Sequence, residues 1–182
     1  LPGPLTLAAL SKWDGVYKNL GEATLAAADA LQQEAKALQE AGATVIQFDE
    51  PQIIFDKSQI GLVQKAFQRI LSGLKAKTAL YTFFGDAQGI ATQLFDVHVN
   101  VLGLDFVTTP GNFEVVQAFP KDKSLAAGIV EARNTKMESP SELRSVIDRI
   151  ARSVSEDRIY VNPTAGLDFL PREVAYEKLK NM

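Results

Sequence analysis

The chain has 182 residues, of which 46% are hydrophobic and 23% charged, and its formal net charge is −3. This composition is typical of a globular domain with a sizeable core, and it argues against a general nucleic-acid or membrane-surface binder. No apolar run approaches the roughly 20 residues of a membrane helix, and no signal peptide opens the chain, so we expect a cytoplasmic location. Cysteine is absent and His98 is the single histidine, which excludes disulfides and cysteine–zinc sites and leaves carboxylates for any metal.

The first part of the chain alternates between apolar runs and helical spacing. Residues 5–10 follow a Pro-Gly-Pro turn and are predicted to be the end of a short strand. From Leu20 onward, apolar residues recur every three or four positions up to Gly42, which predicts a helix with a glycine stop. Residues 43–48 (ATVIQF) form a nearly continuous apolar run, which favours a strand buried on both faces.

The same alternation continues to the end of the chain. Ser139, Pro140 and Glu142 form a capping box with proline at the first helical position, and they predict the start of a helix. Further strands are predicted at residues 78–84, 102–107, 124–130 and 158–161, and helices at 60–74, around 87–95, at about 113–118 and from about 172.

Six strands that alternate with helices predict a parallel sheet with helical crossovers. We interpret the fold class as α/β, a parallel (βα)8 TIM-type barrel of which residues 1–182 form one partial domain with about six βα units. A complete barrel takes about 250 residues, and the chain begins inside a predicted strand, so we expect the first two units to be absent from it. The alternative is an open doubly wound sheet, but no glycine-rich phosphate loop follows any strand.

Polar side chains follow the predicted strands, where a βα barrel carries its active face. The candidate binding residues are Asp49, Glu50, Asp86, Arg133, Asn134 and Asn162.

Several segments, in order, resemble the barrels of the cobalamin-independent methionine synthase family. The resemblance covers nearly the whole chain, and the order and spacing of its segments make it specific. The segments are residues 1–7 (LPGPLTL), 45–51 (VIQFDEP), 80–86 (LYTFFGD), 104–107 (LDFV), 127–134 (AGIVEARN) and 161–182.

The resemblance implies a zinc-dependent methyl transfer from a methylated folate to homocysteine. This sequence, however, lacks zinc-binding residues at the positions that match the family's zinc ligands. The positions that match the family's histidine, two cysteines and glutamate hold Tyr81, Phe83, Ala165 and Val107, and Arg133 replaces a further histidine. None of the four is a normal zinc ligand. No cofactor is therefore expected in this chain, which resembles the family's N-terminal, zinc-less barrel or a stand-alone paralogue.

The predicted function is a substrate-binding or scaffold barrel for methyl transfer. It would work with homocysteine or methyl-folate and with a zinc-bearing catalytic barrel as partner, and without nucleic acid or membrane. The alternative is an active methyltransferase, or an enzyme resembling uroporphyrinogen decarboxylase, that uses Asp49, Glu50 and Arg133 on another substrate. Whether the chain itself is an enzyme stays open.

Each candidate residue also has a plain structural interpretation. In the family's catalytic barrel, the residue that matches Asp49 contacts the amino group of homocysteine, yet a carboxylate here could equally cap backbone amides. For Arg133 we favour an ion pair with Glu50 or Asp49 over a bound anion. Tyr81 and Phe83 are expected to fill the lost metal pocket rather than to stack on a pterin ring.

Overall fold

The computed structural model describes all 182 residues and has a five-stranded parallel sheet at its centre. The strands lie in chain order, β1-β2-β3-β4-β5, and the sheet does not close on itself. The strands are β1 (Val45–Asp49), β2 (Lys77–Tyr81), β3 (Val101–Asp105), β4 (Ser124–Val130) and β5 (Ile159–Pro163).

Eight α-helices precede, connect and follow the strands, and short 3-10 turns lie between some of these elements. The helix α7 begins at the predicted capping box, in which Ser139 and Glu142 cap each other's backbone amides. The helices are α1 (Pro4–Leu10), α2 (Leu20–Glu40), α3 (Gln52–Phe55), α4 (Ile60–Leu71), α5 (Ala91–Phe95), α6 (Asn112–Val115), α7 (Pro140–Ala151) and α8 (Arg172–Asn181). None of them combines the length and the hydropathy that a membrane span requires.

The prediction of a strand at residues 5–10 is wrong, because this segment is the helix α1. Proline stands at its first helical position, and the buried side chain of Glu50 accepts the backbone N–H groups of Leu5 and Thr6. Only Pro2, just before the helix, makes an isolated parallel bridge to Asp49. A short apolar run does not by itself distinguish helix from strand, and here a distant carboxylate decides the outcome.

The two faces of the sheet differ sharply in packing. One face carries the large apolar side chains of each strand, such as Phe48, Leu80 and Leu102, which pack against the helices in the main core. We call the opposite side the inner face. It has only a small cluster of Ala79, Val101 and Ala126 with Tyr81 packed against it. The alternation is clearest in β1, whose residues are in turn exposed and buried.

Gly103 makes room for the ring of Tyr81 on the inner face. Tyr81 lies opposite Gly103 in the register of β2 and β3, and a Cβ atom at Gly103 would stand 2.6 Å from Tyr81 Cγ. Any side chain at this position would therefore push the tyrosine out of its place.

The substitution Gly103→Ala should lower the free energy of unfolding by about 1–3 kcal/mol, because the new methyl group overlaps the Tyr81 ring. Urea denaturation measures the loss. A Tyr81→Ala/Gly103→Ala double variant should lose less than the sum of the two single variants. Gly61→Ala in α4, where nothing lies within 4 Å, is the control and should be neutral or stabilising. Equal effects at both glycines would contradict this explanation.

Candidate binding site at the carboxyl edge of the sheet

The parallel register brings the carboxyl ends of the strands to one edge, where a cavity of about 340 Å³ opens. We call it the edge cavity. Asp49 and Tyr81 are paired neighbours at the ends of β1 and β2, and Asn162 comes from β5 on the far side of the sheet. The lining residues include Gln47, Asp49, Tyr81, Phe83, Asn162 and Ala165. Two predicted site residues, Asp49 and Asn162, are thus brought together.

The edge cavity presents hydrogen-bond acceptors that lack donors. Gln47 Nε2 donates to Asp49 Oδ1 at 2.7 Å, and no protein group donates to Asp49 Oδ2. Asn162 Nδ2 donates to the Pro163 carbonyl oxygen at 2.8 Å, whereas Asn162 Oδ1 is buried without any partner. A buried acceptor without a donor is costly and calls for an explanation. A ligand with several N–H donors, such as an ammonium group, has the chemistry that suits acceptors of this kind.

Tyr81 stands beside these acceptors as a neutral phenol. Burial raises the pKa of Tyr81 above its ordinary value, and the nearby charges of Asp49 and Tyr160 raise it further. The phenolate that a metal would require is therefore disfavoured. The hydroxyl remains protonated and can serve as a hydrogen-bond donor or acceptor.

Glu50 lies outside the edge cavity. Its side chain is completely buried; Oε2 accepts the N–H of Leu5 at 2.8 Å, and Oε1 accepts the N–H of Thr6 at 2.7 Å and the Thr6 hydroxyl. A side chain at Gly3 would overlap the Glu50 carboxylate. Glu50 therefore caps α1 and fixes it to the end of β1, which is the structural role that the sequence left open.

Two polar residues that the sequence analysis missed organise the neighbouring loops. Asp105 is fully buried and accepts the N–H of Phe84 at 3.0 Å and those of Val107 and Thr108 at 2.9 Å. Asn112 accepts the N–H of Ala87 and donates to the carbonyl of Asp105. One feature of the sequence could have indicated Asp105. It is an aspartate inside the apolar run at residues 101–107, where an unpaired charge would be costly.

Asp86 forms an ion pair with Lys57 outside the edge cavity. Lys57 Nζ lies 3.1 Å from Asp86 Oδ1, and the N–H of Gln88 also reaches this oxygen. Burial alone would raise the pKa of Asp86, but the hydrogen bonds of Lys57, Gln88 and Thr109 and the lysine charge outweigh it and hold the pKa below its ordinary value. Asp86 does not line the edge cavity.

The favoured ion pair of Arg133 with Glu50 or Asp49 is wrong. Glu50 is occupied by α1, and the guanidinium of Arg133 lies 4.1 Å from the ring centroid of Phe84 instead. The nearest carboxylate is Glu131, whose Oε1 is 3.8 Å from Arg133 Nε. The neighbouring Asn134 accepts the N–H of Lys136 and closes a local turn.

The positions that match the family's zinc ligands do not form a metal site. Tyr81, Phe83 and Ala165 line the edge cavity, but Val107 lines a second cavity, of about 300 Å³, with Glu131 and Asn134. A phenol, a phenyl ring and two aliphatic side chains do not offer the anionic or imidazole donors that zinc prefers. These residues therefore do not fit the metal that the resemblance implies.

The single histidine lies at the other end of the sheet. His98 is exposed and precedes β3, where it lines a shallow pocket with Asp96 and Gln68. It cannot contact a ligand in the edge cavity, because the length of β3 separates the two.

A parallel βα sheet with candidate binding groups at its carboxyl edge defines an α/β protein, of the class in which ligands bind at the ends of the strands. Residues 1–155 match the family described as "Cobalamin-independent synthase, N-terminal domain". The chain belongs to the cobalamin-independent methionine synthase family, as the motifs predicted.

Curated relatives and solved structures agree with this assignment. The chain is 36% identical over 185 residues to a methionine synthase of Methanothermobacter marburgensis, covering all of this chain and 60% of the relative. It is 30% identical over 183 residues to a methionine synthase of Saccharolobus islandicus, of which it covers 55%. The chain thus spans little more than half the length of these relatives.

The fold also matches solved structures. A B12-independent methionine synthase from Shewanella sp. W3-18-1, solved in complex with selenomethionine, superposes with a TM-score of 0.90 at 22% identity; the match covers all of this chain and 58% of that chain. A methyltransferase from Methanosarcina mazei gives a TM-score of 0.70 at 22% identity, over 99% of this chain and 56% of that one. The prediction of an α/β fold that forms part of a TIM-type barrel is therefore confirmed, with five of the six expected strands in the open sheet.

The Glu50 cap predicts a pH dependence of stability. Burial raises the pKa of Glu50 from 4.5 to about 7, against the opposing effect of the hydrogen bonds from Thr6 and Leu5. An acid with a higher pKa in the folded state binds more protons when folded, so its contribution to stability falls as the pH rises through this range. Between about pH 4.5 and 7 the loss should be on the order of 3 kcal/mol.

The Glu50→Gln variant should lose this part of the pH dependence, which denaturation at a series of pH values from 4.5 to 7.5 measures. The exposed Glu173 in α8 supplies the control, since Glu173→Gln should leave the profile unchanged. An unaltered slope in Glu50→Gln would show that the buried carboxyl is not the group that titrates.

Proposed function

We propose that this chain is a substrate-binding barrel module that holds the ammonium group of homocysteine or methionine during methyl transfer. The observation that carries the proposal is the pairing, in one cavity, of the Asp49 carboxylate with the buried, unpartnered Asn162 Oδ1. An ammonium group offers three N–H donors and a positive charge. It therefore matches one anionic and one neutral acceptor.

The comparisons support the class of ligand. The matched Shewanella protein was solved in complex with selenomethionine, an amino acid with a soft side-chain atom. The matched archaeal relatives are methionine synthases. The chain spans 55–60% of their length, and we propose that it takes part in the same reaction.

The proposal assigns the metal chemistry to another barrel. Tyr81, Phe83, Val107 and Ala165 supply no zinc donor, and the structure contains no group of three or more histidine, cysteine, aspartate or glutamate side chains arranged to hold a metal. A zinc-bearing catalytic barrel would activate the homocysteine thiol, and methyl-folate would supply the methyl group. We propose that this module works with such a partner, in the cytoplasm.

The alternative of an active enzyme built on Asp49, Glu50 and Arg133 lacks a convergent site. Asp49 faces the edge cavity, Glu50 is buried under α1, and Arg133 lies on Phe84. Three side chains that point to three different places cannot act on one reacting atom. The binding module is therefore the better proposal.

The Asp49→Asn variant should bind L-methionine at least about tenfold more weakly than the wild type, because it replaces a charge-assisted hydrogen bond with a neutral one. Isothermal titration calorimetry measures the two affinities. Asp157→Asn, at an exposed aspartate before β5, is the matched control and should bind as the wild type does. Equal affinities for Asp49→Asn and wild type would contradict the proposed role of Asp49.

Metal analysis tests the assignment of zinc to another barrel. The purified chain should contain far less than one equivalent of zinc after dialysis against a zinc-containing buffer, because its residues offer no soft or imidazole ligand in the edge cavity. One tightly bound zinc per chain would overturn this assignment.

A further inference from the structure

We propose that the edge cavity selects a neutral thioether side chain, in contact with Phe83, over a thiolate. Of the two ligands in the proposed function, it would therefore take methionine, the product of the methyl transfer, in preference to homocysteine. This inference rests on the proposed function, because it requires an amino acid in the edge cavity. It concerns the side chain of that amino acid and not its ammonium group, so the two can be tested separately.

The lining of the edge cavity contains two chemically different sets of residues. Gln47, Asp49 and Asn162 are polar, and Asp49 is the proposed partner of the ammonium group. The apolar members of the lining are Phe83, Pro163, Ala165 and Leu167. A ligand whose amino group contacts Asp49 therefore has mainly apolar surface available for its remaining atoms, which favours an apolar side chain.

The charge of the lining disfavours an anionic side chain. No lysine, arginine or histidine lines the edge cavity, and Asp49 is the one charged residue that does. Tyr81 reports the effect on a neighbouring acid, because burial and then the charge of Asp49 raise the pKa of its phenol. A thiolate in the same cavity would likewise lose water and be repelled by the carboxylate. A thioether carries no charge and avoids both costs.

Phe83 gives the cavity a surface that suits sulfur. Its ring lines the cavity but is otherwise enclosed, since only 9% of the residue is exposed. The ring of Phe84 packs edge-to-face against it, with the two centroids 4.7 Å apart. A thioether sulfur is polarizable and makes favourable contacts with aromatic rings. Because neighbouring side chains already hold the ring in place, little ordering is required when a ligand binds.

Methionine and homocysteine differ only at the end of the side chain, so a comparison of the two isolates this part of the cavity. Both carry the same α-ammonium and α-carboxylate groups, whose contributions cancel in the ratio of the two dissociation constants. Methionine has one additional methyl group, whose burial is worth about a fourfold gain in affinity. Homocysteine has a thiol, which loses a proton at alkaline pH.

Titration calorimetry of the protein with L-methionine and with L-homocysteine, under a reducing agent and at pH 7 and pH 9, tests the selectivity. At pH 7 the thiol is neutral, and homocysteine should bind about fourfold more weakly than methionine. With a thiol pKa of about 8.5, most of the homocysteine is a thiolate at pH 9, and the ratio of the dissociation constants should rise about fourfold further. Titration of the α-ammonium group affects both ligands alike.

A second comparison tests the contact with Phe83. L-Norleucine has a methylene group in place of the sulfur of methionine. Phe83→Leu keeps the wall apolar but removes the ring, and it should lower the affinity for methionine relative to norleucine about threefold. Phe95→Leu is the matched control, since Phe95 lies in α5 and packs edge-to-face on Phe119; it should leave this ratio unchanged. Thermal melting of each variant checks that the fold is intact.

The outcomes distinguish the two proposals. A ratio of dissociation constants that stays constant or falls between pH 7 and pH 9 overturns the thioether selectivity, while the proposed function stands if Asp49→Asn still weakens methionine. If the ratio rises but Asp49→Asn has no effect, the selectivity stands and the proposed role of Asp49 fails. An unchanged ratio of methionine to norleucine in Phe83→Leu overturns the contact between the sulfur and the ring. A wild-type protein that binds neither methionine nor homocysteine overturns both proposals.

Discussion

The carboxyl edge of the sheet depends on hydrogen bonds that two buried carboxylates accept from backbone amides. Glu50 holds the first turn of α1 against the end of β1, and Asp105 holds the loops that follow β2 and β3. Buried charges are tolerated only when such donors compensate for the lost water. Because these bonds cross between elements distant in the chain, they give the loops around the edge cavity a defined shape.

The uneven packing of the sheet determines where a ligand can bind. The helix-covered face holds nearly all the large apolar side chains, whereas the inner face carries small residues beside Tyr81. Small side chains leave space, and the polar residues at the strand ends define its chemistry. The edge cavity therefore combines room with a few polar groups, as small-molecule sites commonly do.

The family relationship suggests a role in methyl transfer, whereas the residues of the site suit substrate binding and do not suit zinc. The chain belongs to the cobalamin-independent methionine synthase family, and we propose that Asp49, which lines the edge cavity, holds an amino group. The positions that the resemblance matches to the zinc ligands, Tyr81, Phe83, Val107 and Ala165, carry aromatic and aliphatic side chains. The proposed module, which would bind substrate and leave the metal to another barrel, would account for both observations.

The sequence predicted the elements better than it predicted the contacts. All strands from residue 43 onward and the capping box of α7 were predicted, because their patterns are local. The prediction of a strand at residues 5–10 was wrong, because Glu50, which is far away in the chain, caps this segment as a helix. The predicted ion pair of Arg133 was wrong, because Glu50 is already occupied by α1 and Arg133 lies against Phe84. Asp105 and Asn112 were missed for the same reason: their partners become visible only when the loops are folded together.

A crystal structure of the protein with bound L-methionine tests the central claim most directly. We expect the amino nitrogen within hydrogen-bonding distance of the Asp49 carboxylate and Asn162 Oδ1, inside the edge cavity. Methionine bound elsewhere, for example in the pocket beside His98, or an edge cavity that stays empty at saturating methionine, would contradict it.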